Sequence, residues 1–132
     1  MDSKAKIWSD IEKRLLHKSE FNEKTGCLIW TGAKSSSKAP VYGKARAKLP
    51  THSVSKVYFA HRLSYMCKMQ QEISEHMRIS HLCNKSLCIA QKHLHLEDFS
   101  VNSLRRNCFQ FGVCYGHGAD PDCIIFKVGI FY

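Results

Sequence analysis

The chain has 132 residues, with 20 Lys and Arg against 11 Asp and Glu, a formal net charge of +9 at neutral pH and a pI near 9.3. That length suits a single domain (residues 1–132), and the basic balance favours a polyanionic partner, nucleic acid ahead of an anionic membrane surface. No stretch approaches the ~18 apolar residues of a membrane span, and MDSKAKIWSD at the N-terminus has no apolar run of signal-peptide type; an intracellular protein, nuclear or cytoplasmic, is expected.

In chain order, Ile7, Trp8, Ile11, Leu15 and Leu16 recur at helical spacing and predict an amphipathic helix over residues of about 5–17, within an N-terminal extension of residues 1–25. CLIWTG (Cys27 to Gly32) and VYGKARA (Val41 to Ala47) alternate in polarity on either side of the loop-like GAKSSSKAP, as a β-hairpin would. Val57 to Lys68 carries Val57, Ala60, Leu63, Tyr65 and Cys67 on a helical stripe. Met77 to Leu82 and Leu94 to Glu97 read as short strands, and Phe99 to Asn107 as a helix. Strand, loop, strand, helix is therefore the expected order of the C-terminal half.

Seven cysteines in a chain without a signal peptide argue against a disulfide framework, since reducing compartments keep thiols free and an odd count leaves one unpaired. Metal binding fits them better. Cys83, Cys88 and His93 are spaced C-x4-C-x4-H, and Cys108, Cys114, His117 and Cys123 are spaced C-x5-C-x2-H-x5-C. Zinc takes four N and S ligands in a tetrahedron, and such intervals let a loop fold back on one ion. The second set is complete. The first needs a distant ligand, and Cys27 supplies it, because Cys67 sits in the helical stripe, where a buried thiol acts as a small hydrophobe. Both zinc ions would be structural, replacing hydrophobic core in a small loop-rich domain, with no coordination position left open.

SHLCNKSLC (Ser80 to Cys88), KHLHLE (Lys92 to Glu97), VNSLRRNC (Val101 to Cys108) and CYGHGADPDC (Cys114 to Cys123) together resemble the zinc-bound branch of the His-Me finger (ββα-metal, HNH-like) endonucleases, known best from intron-encoded homing endonucleases. Looser similarity runs back through AHRLSY (Ala60 to Tyr65) to CLIWTG, so the zinc-bound nuclease core spans residues 27–123 and an apolar tail residues 124–132. The resemblance implies an α+β fold: a small ββα-metal domain with an antiparallel sheet, stapled by two structural zinc sites. It also implies a metal-dependent DNA endonuclease. The family's general base falls on His81 and its ligand to a catalytic Mg2+ on Asn102, and the cation at the leaving oxygen falls on Lys44 or Arg46, with Arg46 taken as catalytic. A neutral imidazole with a pKa near ~6.5 can accept a proton from water near neutral pH. Mg2+ keeps most of its waters and needs few protein ligands, so one amide oxygen can suffice.

Arg105 and Arg106 follow Asn102 on the same helix and are candidates for phosphate contact. Lys44, Arg46 and Lys48 alternate along a strand and share one face, a candidate groove-reading ribbon, and Arg62 matches the arginine of the family's His-Arg pair. Two departures stand out. The family's Asn-Pro before the zinc histidine is Ala90-Gln91 here, and only nine residues, IIFKVGIFY, follow Cys123. Some homing enzymes of this class exchange a long C-terminal extension between protomers; a homodimer here would have to form another way. The rival reading is a non-catalytic, zinc-stapled DNA-binding module; a zinc scaffold for protein partners is weakened by the charge.

Overall fold

The computed structural model describes residues 2–35 and 38–126. Helix α1 (Ser3–His17) starts earlier than its apolar periodicity because Asp2 caps it, accepting the Lys4 and Ala5 N–H groups at 2.6 and 3.2 Å. It buries Trp8, Ile11 and Leu15 against α2 (Ala60–Met69), while Leu16, counted on the same stripe, points outward and is half exposed.

The expected hairpin between CLIWTG and VYGKARA does not form. β2 (Leu28–Trp30) pairs instead with β1 (Ser19–Phe21), and β3 (Lys44–Ala47) with β4 (Lys56–Phe59), both antiparallel. Just beyond the first segment a Lys34–Gly43 bridge joins the two stretches, where the Lys44 N–H donates to the Ala33 carbonyl. The reason lies in the turns. In NEKTG the Asn22 side chain accepts the Lys24 and Thr25 N–H groups and Gly26 takes a φ of 72°, so the chain reverses before β2 rather than after it.

Val57 belongs to β4 rather than to the helix expected over Val57 to Lys68: the alternating KVYF pairs with β3, and the helical stripe begins at Ala60. α2 is buried almost all round, with Ala60, Leu63, Met66 and Cys67 in a core shared with Trp8, Ile11, Leu15, Trp30 and Leu49. Burial pushes the Cys67 thiol up to about 12, so it stays protonated core. The Trp30 ring is wedged between Gly32 and Gly43, where a Cβ on either residue would overlap it.

β5 (Arg78–His81) and β6 (Leu94–Glu97) pair antiparallel, with Ser80 opposite His95 and His81 opposite Leu94. A 3-10 turn, Gln91–His93, leads into β6. α3 (Phe99–Phe111) begins at its cap Asp98 and runs four residues past the expected end, to Gly112 at a φ of 72°. The α+β class and the ββα unit are present, with the antiparallel pairing distributed over three two-stranded sheets rather than one. Of the apolar tail, Ile124 and Phe126 pack on Cys27, Cys83 and Cys88; residues 127–132 lie outside the described residues. No described helix is long and apolar enough to cross a membrane.

Candidate functional site

Cys27, Cys83, Cys88 and His93 converge, all buried, with their ligand atoms within 4.8 Å of one another. The Cys27 and Cys88 sulfurs each lie 3.5 Å from His93 Nδ1. A zinc tetrahedron with Zn–S of about 2.3 Å and Zn–N of about 2.0 Å places sulfur and nitrogen about 3.6 Å apart, so the donor set fits the ion. The Cys83 thiol, hydrogen-bonded to the Cys88 sulfur, lowers Cys88 to about 5 and drives its own pKa far up, while burial raises Cys27. One thiolate forms readily, and a dication supplies the charge that the others need.

The second set, Cys108, Cys114, His117 and Cys123, converges in the same way. Its Cys108 and Cys123 sulfurs lie 3.5 and 3.4 Å from His117 Nε2, and the Cys123 N–H donates to Cys114 Sγ. Both tetrads use the residues expected from spacing. Ala90-Gln91, in place of Asn-Pro, has its own anchorage: the Gln91 amide donates to the Ser64 carbonyl and to Glu12, tying the turn to both α2 and α1.

The first tetrad pins the loop between β5 and β6, which begins directly after His81, the last residue of β5. The Leu82 N–H donates to the His93 carbonyl at 2.7 Å, and the Asn84 N–H returns to the His81 carbonyl. His81 and Asn102, expected to work together, border one cavity of about 550 Å³ with Tyr42, Ser80 and Arg106. Its Nε2 is buried without a partner, and burial depresses the pKa to about 4, a backbone contact to Cys88 acting the other way. The ring sits 4.4 Å from that of His61 and 6.1 Å from Tyr42, which also stacks on His61. His61 is held well below its ordinary value by burial, then by the charges of His81 and Arg62. Two neutral imidazoles thus stand side by side.

Asn102 is oriented by a relay that the sequence did not announce. Arg105 donates to both oxygens of buried Glu97, at 2.7 and 2.8 Å. The Ser80 hydroxyl donates to Glu97 Oε2, and so can only accept from Asn102 Nδ2, at 2.7 Å. The amide is thereby fixed with its nitrogen on Ser80, leaving Oδ1 free of hydrogen bonds among the described residues. An oxygen of that kind suits a hard cation such as Mg2+. Ser80 and Glu97 are diagonal neighbours in the β5–β6 register, a relation that emerges only once the strands pair. His95, on the same face as Glu97, bonds Asp120 at 3.0 Å and ties the second zinc loop to β6.

The expected basic residues divide. Arg105, expected at phosphate, is 2% exposed and hydrogen-bonded to Glu97 and Cys123 Sγ. Arg106 is exposed at the cavity rim. Arg62 donates to the Met77 and Ser74 carbonyls and holds the approach to β5. Arg46, taken as catalytic, does not border the cavity of His81 and Asn102: β3 turns it with Lys44 toward α1, where its Nη1 reaches Ser55 Oγ at 3.4 Å. Lys44 does reach a neighbouring cavity that also touches Asn102. Lys48 lies exposed one residue past the end of β3.

A ββα unit held between two zinc-compatible Cys3His tetrads, with a histidine and an asparagine on one cavity, defines a small zinc-stapled protein of the His-Me finger class. The family model for the zinc-binding loop region of homing endonuclease matches residues 26–126, and the chain belongs to that family. The match takes in both tetrads, His81 and Asn102. No curated protein and no solved structure matches the chain.

Proposed function

We propose that the protein is a divalent-cation-dependent endonuclease that hydrolyses DNA phosphodiester bonds. The observation that carries this reading is one cavity bordered by both a buried imidazole with an unpartnered ring nitrogen and an amide turned oxygen-outward by a fixed relay. His81 Nε2 accepts the proton of a water aligned with the scissile phosphorus, which the neutral ring can do throughout the neutral pH range. Asn102 Oδ1 would hold the catalytic cation. When bound, that cation neutralises charge on the phosphate and stabilises the departing 3′ oxygen. Arg106 at the rim, and Lys44 one cavity away, hold neighbouring phosphates. Both zinc ions are structural in this scheme, since the protein fills all four positions of each.

Supercoiled plasmid tests the proposal. With Mg2+ the wild-type protein is expected to convert it to nicked or linear forms, and with Mg2+ omitted to bind it uncut. Binding without cleavage under both conditions would identify the zinc-stapled binding module instead.

A further inference from the structure

α1 lies outside the family match, and it brings to β3 a second basic surface. Lys13, Arg14 and His17 on the last turns of α1 and Lys18 at its C-cap are exposed, at spacings that place them in adjacent rows of one face, while Ile11 and Leu15 on the adjoining stripe are buried. Together with Lys44 and Arg46 of β3 they border a cleft of about 490 Å³ whose floor includes Leu15, Trp30 and Ala45. No carboxylate borders it among the described residues. Among the described residues Lys13, Arg14, Lys18 and Lys44 have no ion-pair partner, unlike Lys6 further toward the start of α1, which pairs with Asp10.

Basic residues in the last turn of a helix also complement its dipole, but that does not account for Lys44 and Arg46 facing the same cleft. The cleft is, moreover, linked to the candidate active site through shared bordering residues. Lys44 borders both it and the next cavity, which holds Tyr42, His61 and Asn102, and Tyr42 and Asn102 border in turn the cavity of His81. Six cationic or titratable side chains thus begin a strip that ends at the proposed base.

We propose that this α1–β3 cleft is a phosphate-binding track for the DNA flanking the cleaved bond, so that the N-terminal helix is part of the DNA interface rather than only a prop for α2. The proposal rests on the DNA endonuclease reading. It commits to the sugar–phosphate backbone of the same duplex, because charge complementarity is the property that the cleft offers and such contacts carry no sequence requirement.

The test is the salt dependence of duplex binding, measured for wild type, for the triple variant Lys13→Gln/Arg14→Gln/Lys18→Gln, and for the control Lys4→Gln/Lys24→Gln/Lys92→Gln. The control carries the same charge change at exposed positions away from the cleft. Each lost phosphate contact lowers the slope of log K against log salt by ~0.9, so the cleft variant is expected to lose about two to three units and the control less than one. Lys13→Arg/Lys18→Arg, which keeps the charge, is expected to retain the wild-type slope. Equal losses in cleft variant and control, or no loss in either while wild type binds steeply, would overturn the track and leave the nuclease reading standing. Wild type that binds no duplex would bring down both.

Discussion

His81 occupies a position that keeps its imidazole neutral, and this sets how the reaction should respond to acid. Burial holds its pKa near about 4, and the adjacent His61, also buried, adds a second neutral ring. A base of depressed pKa is in its proton-accepting form everywhere above that value, so kcat/KM, which reports the free enzyme, is expected to hold through pH 6 and fall only as pH nears 4–5. A pH–rate profile run with zinc content measured in each sample checks this, and half-maximal activity at the ~6.5 of an ordinary histidine would contradict it. Asn102 depends on Ser80 for its orientation. Ser80→Ala removes the acceptor of its Nδ2 and frees the amide to turn, with an expected 10–100-fold loss in apparent Mg2+ affinity or rate, read from a Mg2+ titration of cleavage. His81 and Asn102 were legible in the sequence because short motifs carried them. The relay from Arg105 through Glu97 and Ser80 was not, because it joins residues on two strands and a helix whose adjacency depends on register.

At the scale of elements, the tetrads and the β5–β6–α3 order could be read from ligand spacing and short apolar runs, whereas strand pairing near the N-terminus could not. CLIWTG and VYGKARA are both strand-like, but alternation does not name a partner; the Asn22 side-chain turn and Gly26 decide that β2 folds back on β1. Arg46, expected as catalytic, borders the α1 cleft rather than the cavity of His81 and Asn102 for a related reason. A period of two fixes which residues share a face, but not whether that face meets α1 or the active-site cavity. The Trp30 cradle shows how tightly the two small sheets are joined. Gly43→Ala is expected to cost about 1–3 kcal/mol, because the added methyl must displace a buried ring. Chemical denaturation checks this, and an unchanged midpoint would mean that the cradle is loose.

For the whole molecule, two zinc-compatible tetrads stand where a larger core would otherwise be needed. The first tetrad lies wholly in the interior, between β2, the β5–β6 loop and Ile124, while the second leaves Cys114 and His117 half-buried at the surface. Metal analysis is expected to return two zinc per chain, and Cys114→Ala one, with the remaining zinc released more slowly by chelator than the first zinc lost by wild type. Loss of both ions in that variant would show that the tetrads are not independent.

In the proposed scheme these ions would frame the reaction without taking part in it, and the chemistry would fall to His81 and Asn102. The most direct test is single-turnover cleavage of a labelled duplex with Mg2+ and saturating protein, comparing wild type with His81→Ala after both are shown to carry two zinc and to bind the duplex equally. Loss of the general base is expected to slow cleavage by roughly 10²–10⁴-fold. Equal rates in the two proteins would contradict the account.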